Sequence, residues 1–364
     1  MNHRFILFFT FSILFFIGCS SDKMEPVEEK EIEETKISEE IYFPPIGSDE
    51  WETISPSELS WDESNTQLLI DFLEEKNTKS FIMLYNGKIV VEHYFNDYSA
   101  TKPWYWASAG KTLTATVTGI AQDEGIIDIN NKVSDYLGEG WTSASLSEEN
   151  LITAKNLLTM TSGLDDTLGD DVSSENLHYI ADAGDRWAYH NVYVKLQDIV
   201  SAASNQDWTS YFDIKLKDKI GMSGSWIANN NLNVYWSNTR SMARFGLLIQ
   251  AKGKWEDQQL VSKEFVLESH NTSQNINEAY GYLWWLNGKT TYHLPSSQLE
   301  FNGLLIPTAP ADTYAALGKN DQKIYIVPSK SLVVIRMGNA ADDANFALSS
   351  FDEELWSKIN EVIN

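Results

Sequence analysis

Strand-forming text in this chain sits in two separated places, and that separation limits the folds open to it. Phe81-Ile82-Met83-Leu84-Tyr85, then Asn86-Gly87, then Lys88 to Phe95 reads as a hairpin, because Asn-Gly supplies the backbone that a two-residue turn needs. Tyr282 to Leu286, Asn287-Gly288 and Lys289 to Leu294 repeat the pattern far downstream, and Tyr314 to Leu317, Lys323 to Val327 and Leu332 to Met337 read as three more strands. Between them, from Asp128 to about Asn233, helical patches such as Leu151 to Met160 and Val192 to Ala203 are joined by polar loops. Leu68 to Lys76, Ser237 to Lys252 and Phe351 to Ile363 also read as helices. The distribution predicts an α/β (α+β) fold: an antiparallel sheet flanked by helices, with an all-helical lobe inserted at about 128–233. The cleft between two lobes is a natural active-site position.

The N-terminus is organised differently. Arg4 and the apolar run Phe5 to Ile17 have the layout of a signal peptide, too short for a comfortable membrane span. Phe16-Ile17-Gly18-Cys19 resembles a bacterial lipoprotein box, with Phe16 where leucine is usual; an uncleaved N-terminal anchor is the alternative. Residues 1–18 are thus expected to be a signal and Cys19 the lipidated residue, which implies a secreted, membrane-anchored protein on the periplasmic face or the cell surface. Residues 19–40 are rich in Glu and poor in apolar side chains, the composition of an extended tether. Residues 41–60 read as an ordered lead-in strap and 61–364 as the folded domain. Cys19 is the only cysteine, so the mature domain has no disulfide, thiolate nucleophile or thiolate metal site. A formal net charge of −25 leaves no basic stripe for nucleic acid.

The chemistry centres on Trp106-Ala107-Ser108-Ala109-Gly110-Lys111-Thr112-Leu113, a loop entering a helix on which Leu113, Val117 and Ile120 recur at helical spacing. Residues three apart on a helix share a face, with Cβ atoms roughly 5–6 Å apart. The Lys111 amine could then take a proton from the Ser108 hydroxyl. Unpaired N–H groups at the helix start would favour a developing oxyanion. Alone, the tetrad also fits an N-capping serine beside a solvated lysine.

Two further stretches change that balance. Gly184-Asp185-Arg186-Trp187-Ala188-Tyr189-His190-Asn191 contains Tyr-x-Asn, and Ala315-Ala316-Leu317-Gly318-Lys319-Asn320-Asp321-Gln322 leads into Lys323 to Pro328. Ser-x-x-Lys, Tyr-x-Asn and a lysine-bearing turn, in that order, resemble the β-lactamase-related serine hydrolases. These include class C β-lactamases, penicillin-binding DD-peptidases, and related esterases, amidases and nylon-oligomer hydrolases. The likeness runs from about Trp61 to the C-terminus. Gly119 to Gly125, Leu157 to Leu164 and Ala243 to Leu248 extend it.

The resemblance implies a β-lactamase/DD-peptidase-like fold and a set of roles. Ser108 would be the nucleophile, Lys111 its base or a partner in that task, and Tyr189 the relay of a proton to the leaving group. Asn191 would bind the substrate amide or orient Lys111. Lys319-Asn320-Asp321 would stand for the family's Lys-Thr-Gly, with Lys319 binding substrate and the N–H of Gln322 as second oxyanion donor beside that of Ser108. Asn320 and Asp321 depart from Thr-Gly, which argues against β-lactams more than against hydrolysis itself.

The sequence therefore points to a serine hydrolase acting through an acyl-enzyme on a small ester or amide, with no cofactor. A DD-peptidase or β-lactamase is one alternative, and a non-catalytic binding protein of the same fold another. His93, His178, His190, His270 and His293 show no metal-ligand spacing, and no metal is expected. No Gly-x-Ser-x-Gly elbow is present. Trp104, Trp106 and Trp187 flank the motifs, and Trp284 and Trp285 must face opposite sides of their strand.

Overall fold

The computed structural model describes residues 40–342 and 348–364. The signal, Cys19 and nearly all of the tether lie outside the described residues.

In chain order the elements are α1 (Ser64–Glu75), β1 (Thr78–Tyr85), β2 (Lys88–Tyr94), β3 (Trp104–Tyr105) and a 3-10 turn (Ala107–Gly110) running into α2 (Lys111–Asp123). Then come α3 (Ser134–Leu137), α4 (Leu146–Glu149), α5 (Ala154–Leu158), α6 (Lys195–Ser204), α7 (Trp208–Phe212), β4 (Ser225–Asn229), β5 (Leu232–Ser237) and α8 (Thr239–Gln250). The last part holds β6 (Lys254–Trp255), β7 (Gln258–Gln259), α9 (Lys263–Ser269), β8 (Trp285–Leu286), β9 (Thr291–His293), β10 (Glu300–Asn302), β11 (Tyr314–Gly318), β12 (Gln322–Val327), β13 (Leu332–Gly338) and α10 (Ser350–Ile363).

The main sheet has the order β2-β1-β13-β12-β11-β8, with every pairing antiparallel. Its N-terminal hairpin joins its C-terminal strands through β1 and β13, in a register that sets Ile82 opposite Ile335. Every residue of β12 and β13 is buried, as expected of strands covered on both faces. Gly246 of α8 lies against Ile324, Val333 and Ile335, whereas Tyr325 and Trp356 of α10 meet at 5.5 Å. Ile324 and Tyr325 are adjacent on one strand, so these two helices cover opposite faces.

The strap is ordered. Tyr42 N–H donates to Asn86 O (2.9 Å), and Thr53 bridges Ile89 in parallel, so the strap extends the β2 edge. Gly87 has φ +82°, and a Cβ there would strike the Tyr42 carbonyl, so this turn needs glycine both for its twist and for the approach. Buried Arg244 clamps the strap from α8, donating to Pro44 O (3.1 Å) and Pro45 O (2.8 Å).

Two expectations need correction. The second Asn-Gly does not close a hairpin: β8 pairs with β11, while β9 pairs with β10. The Asn287 amide donates to Ile306 O (3.0 Å), Ala309 O (3.2 Å) and Pro310 O (3.1 Å), so segment 306–310 occupies the space a returning strand would take. The middle lobe is also not all helix. Its end carries β4 and β5, paired around polar Asn229-Asn230-Asn231, which in sequence reads as a loop.

Candidate active site

Ser108 sits on the short 3-10 turn that feeds α2. Ala107 before it has φ +49°, a left-handed conformation that is uncommon for a residue with a Cβ. Trp106 holds that turn from inside: it is fully buried, its N–H donates to Tyr235 O (2.9 Å), and its indole donates to Ser237 Oγ (2.7 Å). From Lys111 to Ala121, α2 is buried throughout. Three of its four threonines bond back to the chain one turn earlier, Thr112 to Ala109 O (2.7 Å), Thr116 to Thr112 O (2.9 Å) and Thr118 to Thr114 O (2.8 Å), while Thr114 Oγ1 accepts from Gln197 (3.0 Å).

This rigid base brings Lys111 to Ser108, with Nζ donating to Oγ at 2.8 Å. Lys111 is 3% exposed, and burial pushes its amine down to about 7, with the charge of Asp170 pulling the other way. The rings of Tyr189 and Tyr193 lie 4.7 and 4.5 Å from Nζ. Burial pushes the Tyr189 phenol up to about 12, with neighbouring Ser108 and Trp285 pulling the other way. Its ring stacks on Trp285 at 5.6 Å and meets Tyr280 edge-on at 6.1 Å. Trp284, the residue just before the strand, instead contacts Phe245, His270 and Tyr314, so the two tryptophans do face opposite sides.

Asn191 approaches Lys111 Nζ with Oδ1 at 3.5 Å, while its Nδ2 donates to Asp170 Oδ1 at 2.7 Å. Asp170 belongs to a loop fixed by a Leu164–Tyr179 bridge and by Arg186, which donates to Asp166 at 2.5 Å. Buried His190, between Tyr189 and Asn191, turns to Met160 Sδ through its backbone N–H, and burial lowers its imidazole.

The fourth side of the site is β11, where the sequence expectation shifts by three residues. Gly318 is the residue that touches the nucleophile's turn. A Cβ there would strike the Trp106 carbonyl and come within 3.0 Å of Ala109 N. The glycine that permits the close approach is therefore Gly318, and the strand residues before it, Ala316 and Leu317, carry no cation. Lys319 opens the following turn and is exposed; Asn320 and Asp321 both have positive φ. Gln322 is not at the cleft. It begins β12, which lies inside the sheet, and its buried amide donates to Asn320 O (2.8 Å) and Gly338 O (2.7 Å). Asp321 points inward, accepting from Ser349 Oγ (2.8 Å) and Ala341 N (3.0 Å) and pairing with Lys323 (3.1 Å).

The outer edge of β11 identifies the backbone groups that do face the cleft. Asn287 N–H donates to Thr313 O from the β8 side. Alternate residues of a strand direct their peptide groups to the same side, so Ala315, Leu317 and Lys319 turn N–H outward, away from β12. Asp170, Tyr193 and Gly318 are site residues that the sequence reading passed over. Asp170 and Tyr193 belong to no motif, and only the turn contact singles out Gly318. Among the described residues, no group of three or more His, Cys, Asp or Glu could hold a metal.

Comparison with known proteins agrees with this architecture. The Beta-lactamase family matches residues 73–352. A Bacillus anthracis protein provisionally named as a 6-aminohexanoate-dimer hydrolase superposes with a TM-score of 0.65 at 17% identity, over 80% of this chain and 81% of its own. A penicillin-binding protein from Bacillus halodurans gives 0.58 at 14% identity, over 80% and 99%. EstCE1, a hydrolase with promiscuous acyltransferase activity, gives 0.63 at 10% identity, over 85% and 99%. No curated protein matches the sequence. The chain belongs to the Beta-lactamase family and has its mixed helix and antiparallel-sheet fold, which places it with the serine hydrolases in general.

Proposed function

We propose that the chain hydrolyses a small ester or amide through an acyl-enzyme on Ser108. The observation that carries this reading is the 2.8 Å contact between Ser108 Oγ and a buried lysine whose amine is pushed down to about 7. Two neighbouring groups with ionisations driven apart divide the work. Neutral Lys111 takes the Ser108 proton as Oγ adds to the substrate carbonyl. Tyr189, protonated at neutral pH, gives its phenolic proton to the leaving group and recovers one from the Lys111 ammonium. The tetrahedral oxyanion would lie between the N–H of Ser108 and the outward N–H of Lys319. Water then attacks the acyl-serine with the same lysine as base.

Ala316-Leu317-Gly318 supports an uncharged substrate. A carboxylate-bearing ligand would find no lysine or hydroxyl among those three residues, and Asp170 adds a negative charge at the lysine's side of the site. Labelling in parallel with a fluorophosphonate and a fluorescent penicillin tests this. Labelling of the wild type and not of Ser108→Ala by the fluorophosphonate alone is the expected result. Labelling by both supports the peptidase or β-lactamase reading, and labelling by neither the non-catalytic one. We also propose lipid anchoring at Cys19, for which Cys19→Ala should abolish incorporation of a fatty-acid analogue; unchanged incorporation would sink the assignment.

A further inference from the structure

Proton transfer from Ser108 creates an ammonium inside a buried pocket, and that charge needs compensation that the three motif residues do not supply. The groups facing Lys111 are Ser108, the phenols of Tyr189 and Tyr193, the amide of Asn191 and, one residue behind it, the carboxylate of Asp170. Buried His190 is the nearby imidazole, and Tyr280 lies behind Tyr189. Among these groups Asp170 brings the only negative charge.

Its placement does a second thing. A carboxylate can only accept hydrogen bonds, so the 2.7 Å contact forces Asn191 to present Nδ2 to Asp170. Its Oδ1 is then the atom left to face Lys111 Nζ at 3.5 Å. Without Asp170, the amide is free to turn and set an N–H against the lysine. The 3.5 Å separation is long for a neutral amine and closes naturally when the amine becomes an ammonium, because charged pairs sit closer and bind more strongly.

We propose that Asp170 is a positioning residue for the hydrolase: through Asn191 its carboxylate aligns the Lys111 amine with Ser108 and compensates the ammonium formed when the serine attacks. The proton moves from Ser108 Oγ to the Nζ lone pair, the Oγ electron pair forms the new bond to the substrate carbonyl, and Asp170 keeps its charge throughout. This rests on the Ser108–Lys111 reading above. It adds a loop residue outside every motif, so that the packing of loop 164–186 and the competence of the base become one property.

The test is the rate of Ser108 phosphonylation by a fluorophosphonate, followed from about pH 5 to about pH 10 in the full chain, with the lysine titration setting the acid limb. In Asp170→Asn the shape and the contact to Asn191 can persist while the charge is lost. Its acid limb should then move down by about 0.5–1 pH unit, less than for a charge in direct contact. Its plateau should fall by about tenfold, for a weaker and less well-held base. Asp170→Glu should return the limb toward the wild-type position. An Asp170→Asn limb and plateau that match the wild type overturn the proposal. So does a lowered plateau with an unmoved limb, which would mark Asp170 as a structural loop residue. Failure of the underlying reading looks different: labelling that survives Ser108→Ala, or an acid limb that survives in Lys111→Ala.

Discussion

Among the described residues two lysines are buried, and they are buried in opposite company. Lys111 lies among a serine, an asparagine and two phenol rings, and its nearest carboxylate acts through Asn191. Lys323 is completely covered yet sits 3.1 Å from Asp321 and 2.8 Å from Asp352, with Tyr325 donating to the other oxygen of Asp352 at 2.5 Å. Removing water from an amine disfavours its charge, and a carboxylate in contact restores it. The first setting makes a base. The second makes a staple, which ties the turn after β11 and the start of α10 to the sheet and so steadies the strand edge facing Ser108. Burial alone does not tell a reader which lysine is catalytic; the counter-charge does.

The same substitution at both positions should separate them most sharply. Lys111→Met is expected to cost on the order of 10²–10⁴-fold in kcat/KM, the range for a positioned acid or base. It should nevertheless stabilise the fold. The folded amine is pushed down to about 7 from 10.5, so the unfolded chain holds the extra proton between those values, and wild-type stability climbs as pH rises through that window. The penalty is therefore complete below pH 7. Urea unfolding at about pH 6 should show Lys111→Met more stable, with the gain shrinking toward about pH 10. A loss of stability at both pH values would contradict the desolvated-amine account. Lys323→Met should behave in reverse, destabilising by about 3–5 kcal/mol because Asp321 and Asp352 are left buried without their cation. A near-neutral result there would remove the contrast.

The pH profile sharpens the point at Ser108. Wild-type kcat/KM on a neutral ester should rise through about 7 as Lys111 becomes neutral, then stay level, because the Tyr189 phenol is pushed up to about 12. A fall beginning near neutral pH would mean that some other acid is donating.

The exposed lysine of the site, Lys319, gives the smaller effects. If its contribution is a backbone N–H, Lys319→Pro should lose about 10²–10³-fold in kcat, as for an oxyanion donor removed. Lys319→Ala should change kcat/KM by less than about threefold. Equal losses in the two variants would return the role to the ammonium group, and circular dichroism would verify that the proline variant folds.

Much was legible in the sequence, for reasons specific to each element. Asn86-Gly87 fixed the first hairpin because the turn's backbone demands are local. Ser108 and Lys111 were readable as a pair because residues three apart on a helix share a face, and the observed contact needs nothing more distant. The three C-terminal strands and α10 carried their own periodicity. Asn287-Gly288 used the same dipeptide as the first hairpin and misled, because its amide is held by carbonyls from segment 306–310 rather than by a returning strand.

What the sequence determined by itself was the first hairpin, the three C-terminal strands and the Ser108–Lys111 pair, consequences of local turn chemistry and of spacing along one element, while the Tyr189–Asn191 segment entered only through the family resemblance. What only the tertiary structure decided was register and charge. It selected Gly318 rather than Asp321 as the point of contact with the turn that carries Ser108, because that choice depends on which backbone carbonyl a Cβ would strike. It directed Gln322 into the sheet, and it brought Asp170 to Asn191 across 21 residues of loop. Among the described residues it also gave Lys111 no carboxylate in contact and Lys323 two, and the protonation of a buried amine depends on that arrangement in space, which sequence spacing does not encode.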